Sequence, residues 1–417
     1  MEPRSYCVLK FSTFSFDPRI DAGIVAVGYA QPTPIQEAAI PHVQSGRDVL
    51  GIAQTGTGKT AAFMLPILDR LLSGPRGRPR VLVLAPTREL AEQIHQATRE
   101  LGRKTKLRSV TVYGGVGKGP QIDRLRGGAE IIVACPGRLL DLYEEGLVDL
   151  SGIETLVLDE ADHMFDMGFL PDVRRILAAL PSRRQNLFFS ATMPPAIRGL
   201  ADQILNDPVP VTIGRQIPVA TVSQAFYPIS EELKGGMLQN ILGRNMGRRT
   251  LVFTRTKHRA RHLALVLARQ GHRAIALQGN MTQAKRQSAI DGFRKGRYDV
   301  LVATDIASRG IDVTGIEMVV NYDMPDTLDA YTHRVGRTGR ALRTGEAVNL
   351  AALTDSLLVR QIQDQIGSPI EQQVVPDFDY RGFNPRLFIA INQPRPKLAP
   401  RHAHRRPVTR GGGRRRF

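Results

Sequence analysis

The chain has 417 residues, room for two or three domains, and its 42% hydrophobic and 23% charged content fits ordinary globular domains. The formal net charge of +18 calls for a polyanionic partner, and +11 of it falls between Arg381 and Phe417, a stretch with no Asp or Glu. Two cysteines, Cys7 and Cys135, exclude a disulfide framework and any paired metal-ligand spacing. MEPRSYCVLKF has no basic region followed by an apolar core, and no apolar run approaches a membrane span, which together predict a cytoplasmic protein with no membrane role.

Apolar runs of strand type recur down the chain. In the first half they are DVLGIA, RVLVLA, SVTVYG, EIIVAC, TLVLDE and NLFFSA, with helical stretches such as TRELAEQIHQATREL between them. Continuous apolar strands alternating with helices predict a parallel sheet covered on both faces. The pattern breaks at NDPVPVTIGRQIPVAT (206–221) and restarts with TLVFTR, RAIALQG, DVLVAT, EMVVNY and EAVNLAA. The expected architecture is two RecA-like α/β domains in tandem, 1–212 and 220–368, joined by a linker at 213–219. Residues 369–417, rich in Arg, Pro and Gly, are expected to form a disordered basic tail.

The first strand leads into AQTGTGKT (53–60) and then a helical run, which is the context a phosphate loop needs. Gly56 and Gly58 allow the tight turn that points N–H groups inward, and the helix N-terminus adds its positive dipole end. Lys59 is placed to reach β- and γ-phosphates, and the Thr60 hydroxyl to join a Mg²⁺ shell. A phosphate loop needs a carboxylate for the metal and a group to position water. TLVLDEADH supplies both: Asp159 for Mg²⁺ and Glu160 as general base for the attacking water.

Asp159-Glu160-Ala161-Asp162 spells DEAD, and with the loop before it the chain resembles the DEAD-box ATP-dependent RNA helicases. Within that family LVFTRTKH (251–258), ATDIASRGID (303–312) and the basic tail resemble the bacterial RhlE-like group. The similarity covers roughly residues 11–365. The family's phosphate loop begins with Ala, as at Ala53, where the general pattern has Gly.

The resemblance implies roles for further residues. GYAQPTPIQ (28–36) is similar to the Q motif, in which Gln36 reads the adenine edge. Phe11 matches the aromatic that stacks on adenine, with Phe14 and Phe16 close by in sequence. Thr55, Gly56, Thr57, Gly58, Lys59 and Thr60 cradle the phosphates, and Asp312 contacts the ribose. Ser190 and Thr192 of the SAT motif contact Asp162 and couple hydrolysis to strand separation. Arg337 and Arg340 of HRVGRTGR match two arginine fingers that stabilise transition-state charge.

RNA contacts are implied for Pro86, Thr87, Arg88, Gly114, Gly115, Pro136, Gly137 and Arg138 in the first domain. In the second they fall on Arg255, Thr256, Gln278, Gly279 and Thr304. Such backbone contacts carry no base readout. Two positions depart from the family pattern. Cys135 stands where Thr is usual, removing a hydroxyl that would bond a phosphate, and His163 stands where Arg often follows DEAD. The implied activity is ATP-dependent local unwinding of short RNA duplexes or remodelling of RNA–protein complexes, by RNA-coupled domain closure and ATP hydrolysis. The competing use of the same residues is an ATP-switched RNA clamp or annealing chaperone.

Overall fold

Fourteen strands build two sheets in the computed structural model, which describes residues 10–53, 56–213, 222–308, 315–339, 344–366 and 369–392. The first half holds β1 (Val49–Ile52), β2 (Val81–Leu84), β3 (Ser109–Val112), β4 (Ile131–Ala134), β5 (Thr155–Leu158), β6 (Gln185–Ser190) and β7 (Val209–Thr212). The second holds β8 (Val222–Pro228), β9 (Thr250–Phe253), β10 (Ala274–Leu277), β11 (Val300–Ala303), β12 (Met318–Asn321), β13 (Gly345–Ala351) and β14 (Glu371–Gln372). Every pairing is parallel.

The first sheet has the order β3-β4-β2-β5-β6-β1-β7, and the second β10-β11-β9-β12-β13-β8-β14. Adding seven to each strand of the first reproduces the second, so the two halves share one topology. The expected tandem of RecA-like parallel-sheet domains is what the chain forms.

Alternation explains why runs such as VLVL make these sheets. In β2, Val81 and Val83 enter the core on one face, Leu82 and Leu84 the core on the other. In the second sheet Val252 and Val302 face one core, and Leu251 and Leu301 the opposite one. Strands buried on both faces need no polar alternate, which is why β2, β4, β5, β9, β11 and β12 are buried at every residue.

Strand order also positions the chemistry. The phosphate loop, the DEAD segment and the SAT segment leave β1, β5 and β6, which lie side by side as β5-β6-β1. The PTR, GG and CPGR segments leave β2, β3 and β4, which form the other half of the same sheet. Ligands gather at the carboxyl ends of parallel strands, so one rim is divided into two neighbouring stations.

Three features were not legible in the sequence. NDPVPVTIG contains β7, an edge strand paired with β1 through Val49–Val209 to Ile52–Thr212. Strand β8 pairs with β13 over seven residues. Ordered structure also runs past the expected end at 368: β14 pairs with β8, and the helix Pro385–Ile391 buries Phe388 in a core cluster of the second half. The amphipathic FNPRLFIAI stretch inside a basic surrounding concealed that helix. Linker residues 214–219 and tail residues 393–417 lie outside the described residues. Among the described residues no helix is long and apolar enough to cross a membrane.

Candidate functional site

The helix Lys59–Leu71 begins directly after Gly58, and Gly56 and Gly58 have φ of 84° and 94°, a region open to glycine. Ala53 needs no such freedom. Its N–H pairs with Ser190 C=O at 3.0 Å, prolonging the β1–β6 ladder, and its C=O accepts from Lys59 Nζ at 2.9 Å. Gln36 ties the loop to the preceding helix. Its Oε1 accepts from Thr33 N–H at 2.9 Å and its Nε2 donates to Gly58 C=O at 3.1 Å. A Cβ on Gly58 would stand 2.5 Å from Gln36 Nε2. Phe11 stacks on Tyr29, with ring centroids 6.1 Å apart and planes within 17°. Phe14 and Phe16 are also buried, and Phe14 meets Phe11 edge-on at 6.2 Å. Tyr29, the stacking partner of Phe11, was missed by the sequence reading.

Three carboxylates are buried beside Lys59: Asp159, Glu160 and Asp162, none more than 4% exposed. Burial pushes Asp159 up to about 6, against the pull of Lys59 and with the help of Glu160. Glu160 sits in the left-handed region at φ 54°, ψ 52°, a conformation that costs a non-glycine residue about 1–3 kcal/mol. Burial would raise its pKa too, but the charge and hydrogen bond of His163, then Lys59 and Arg337, hold it below the usual range. His163 Nδ1 lies 2.8 Å from Glu160 Oε2. Asp162 Oδ2 accepts from both the N–H and the hydroxyl of Thr192 at 2.9 Å, and Ser190 Oγ accepts from Asp162 N–H at 3.3 Å. The three residues expected to couple the segments are therefore in direct contact.

The second half closes on this site. His333 packs edge-on against His163 at 5.1 Å, and both line a small cavity with Arg334 and Arg337. Burial, then His163, pushes His333 down to about 4. Arg334, not singled out in the sequence although it lies within HRVGRTGR, is held by several hydrogen bonds. Its Nε and Nη2 donate to the two oxygens of Asp305 at 2.6 and 2.7 Å, and its Nη1 to Asp323 C=O at 2.7 Å. Thr55, Asp312 and Arg340 lie outside the described residues.

A second cleft, of about 630 Å³, runs between the halves. Pro86, Thr87, Arg88, Gly114, Gly115, Gly137 and Arg138 line one wall, and Gly279 lies on the other. Thr87 caps the helix Arg88–Leu101 through Leu90 N–H, and Gly115, at φ 74°, makes room for Arg88, whose guanidinium stands 1.7 Å from where a Cβ would lie. Pro136, Arg255, Thr256, Gln278 and Thr304 are not among the residues lining this cleft. Thr256 instead caps the helix Lys257–Arg269, and Gln278 Oε1 accepts from Asn280 N–H. The sequence reading missed Glu89 and Arg286, which form an ion pair of 2.8 Å across the cleft with both side chains largely buried.

The comparisons with known proteins agree with this geometry. Residues 33–200 match the DEAD/DEAH box helicase model, and 234–342 match the helicase conserved C-terminal domain. The DEAD-box ATP-dependent RNA helicase RhpA of Helicobacter pylori is 41% identical over 368 residues, covering 88% of this chain and 74% of that one. The chain belongs to the DEAD-box helicase family. The ATP-dependent RNA helicase RhlB of Xanthomonas campestris is also 41% identical to this helicase, over 88% of it and 66% of the relative. Among solved structures, S. cerevisiae Dbp5 bound to RNA and ADP BeF3 superposes with a TM-score of 0.79 at 33% identity, covering 92% of the helicase and 100% of that chain.

Proposed function

We propose that this helicase separates short RNA duplexes locally by closing its two halves around ATP and one RNA strand, then hydrolysing the ATP to reopen. One observation carries the reading. Side chains of the second half reach the buried carboxylates of the first: His333 lies on His163, and Arg337 helps to hold Glu160 ionised. A site assembled from both halves is complete only when they close. The 630 Å³ cleft between the same halves is lined by residues to which RNA contacts are assigned, so RNA would be a second ligand of that closed state and the two ligands would favour each other.

Within the closed site Lys59 and the loop N–H groups hold the phosphates, and Gln36 and Phe11 are assigned to the base by the family motif they match. Glu160 accepts the proton of the attacking water. Arg337 offsets charge on the transferred phosphoryl group, with Arg340 as the second finger. The residues present suit Mg²⁺. Asp159 is a buried carboxylate short of positive charge, and Thr60 offers an oxygen. Among the described residues no protein cage of three or more ligands exists, and Mg²⁺ favours one or two carboxylates plus substrate phosphates over such a cage. When bound, the cation neutralises charge on the β- and γ-phosphates.

The RhlE-like assignment rests on LVFTRTKH, ATDIASRGID and the basic tail, whose arginines would tether RNA electrostatically. The test is the ATPase rate without nucleic acid, with single-stranded RNA and with DNA of equal sequence. Strong stimulation by RNA alone is expected. A rate that ignores both would end the split-site reading, and equal stimulation by DNA would make it a general nucleic-acid motor.

A further inference from the structure

The first half carries a basic groove that the helicase reaction leaves unused. Strand β3 is the outermost of its sheet, and the helix Arg88–Leu101 packs along it. Arg88 lies over the Tyr113 ring at 5.8 Å, and Arg88 and Gly114, the residue after Tyr113, line the interdomain cleft. At the far end Ser109 Oγ and His95 Nδ1 are 2.8 Å apart. There a second cavity opens, of about 680 Å³, lined by Arg99, Arg108 and Arg124 together with His95, Ser109 and Glu92.

Arg88, Glu92, His95 and Arg99 follow one another at helical spacing on one face, so the helix itself leads from cleft to groove. Eleven residues at 1.5 Å rise span roughly 16 Å. That is about five phosphates of a stacked strand.

The groove is built for negative charge. Arg99 and Arg124 make no side-chain hydrogen bond or ion pair with any described residue, and Arg108 donates only Nη1, to Gly127 C=O at 2.7 Å. Burial lowers the pKa of His95 against the pull of Glu92, and Arg99 and Arg124 lower it further, so both guanidiniums converge on the cavity. The one lining carboxylate, Glu92, is engaged as an acceptor by Thr111 Oγ1 at 2.9 Å and Tyr113 OH at 2.6 Å. The adjoining loop adds exposed Arg103, Lys104 and Lys106. The lining holds no Phe, Tyr or Trp for a base to stack on, and Ser109, His95 and Glu92 are engaged with protein partners, so the spaced cations suit a phosphate backbone.

We propose that this groove is a second RNA site, holding the phosphates of the strand after it leaves the interdomain cleft. The inference rests on RNA occupying that cleft, as proposed above. In the full chain, the double variant R99E/R124E is compared with R174E/R183E, which makes the same charge change at exposed positions away from the groove. Two single-stranded RNAs are used, of about six and about sixteen nucleotides, near the ends of the usual range of site sizes.

The groove variant is expected to bind the long RNA about tenfold more weakly, with a salt slope smaller by about 1.4, the value for two lost contacts to a single strand. It should bind the short RNA within about twofold of wild type and keep its short-RNA-stimulated ATPase, since both reversed charges lie outside the residues lining the cleft. The control variant should lose affinity for neither RNA selectively. Equal losses on both RNAs, equal losses in both variants, or no loss on the long RNA would each overturn the proposal. Wild-type ATPase that responds to neither RNA would instead overturn the helicase reading, while the groove is still judged by long-RNA binding.

Discussion

His163 Nδ1 lies 2.8 Å from Glu160 Oε2, and both side chains are 2% exposed. The contact holds a carboxylate whose backbone is already in the left-handed region, and His163 Nε2 is buried with no partner among the described residues. The position after DEAD, which carried no consequence in the sequence, thus orients the expected general base. A hydrogen bond to a charged group contributes about 1.5–3 kcal/mol. H163A should lower the RNA-stimulated kcat by roughly 10–100-fold with little change in the KM for ATP. H163N, which keeps an N–H near the Nδ1 position, should recover part of it. Steady-state kinetics of the three proteins decide this, and an unchanged kcat in H163A would refute it.

Replacing the general base itself removes proton transfer but not the fold of the site. E160Q should lower kcat by about 10²–10⁴ while RNA is still bound in the presence of ATP. Fluorescence anisotropy with labelled RNA measures the second part. Loss of binding together with loss of turnover would mean that Glu160 holds the closed state rather than the water.

Arg334 and Asp305 form a two-pronged pair with Arg334 3% exposed, and Arg334 also bonds the backbone of Asp323. Removing Arg334 takes a two-pronged ion partner from Asp305 and a donor from the backbone C=O of Asp323. R334A should therefore destabilise the second half by about 3 kcal/mol, the low end for a buried pair because Asp305 is partly exposed. R334K, which loses the planar fork, should fall between. Thermal unfolding reads both, and a melting temperature equal to wild type in R334A would contradict the assigned role.

Glu89 and Arg286 meet across the cleft, so they act only when the halves close. A double-mutant cycle with E89Q and R286Q, read as the RNA concentration for half-maximal ATPase, should give a coupling of about 0.5–3 kcal/mol. Additive effects would show that the two side chains work separately.

Cys135 is buried at the cleft, and burial, with a contribution from Glu89 against Arg88, pushes its thiol up to about 12. The thiolate is the reactive form. Iodoacetamide at pH 8 should leave Cys135 unlabelled in the native protein and label it rapidly in denaturant, read in a C7S background so that only this thiol reports. Because the folded value is raised, the thiol's contribution to stability is complete below its unfolded value of 9.0 and is lost as pH rises from there toward 12.

Much of this was legible in the chain. Runs such as VLVL and IIVA, apolar at both alternations, can be buried only between two helical layers, so parallel sheets followed directly. The glycines of the phosphate loop and the DEAD, SAT and HRVGRTGR spellings announced the nucleotide chemistry. Asp162 meets Ser190 and Thr192 as that reading required. Tertiary structure alone decided which distant residues share a space. The side-by-side order β5-β6-β1 brings segments some 100 residues apart to one rim, and no local pattern encodes strand order. The same holds for β7 and β14, short edge strands whose composition reads as loop. It holds for Arg286 and Arg334, each one arginine among many until packing gives it a carboxylate to meet. Local periodicity is written in neighbouring residues, whereas the partners of a buried charge are chosen by the fold, where an unpaired one is costly.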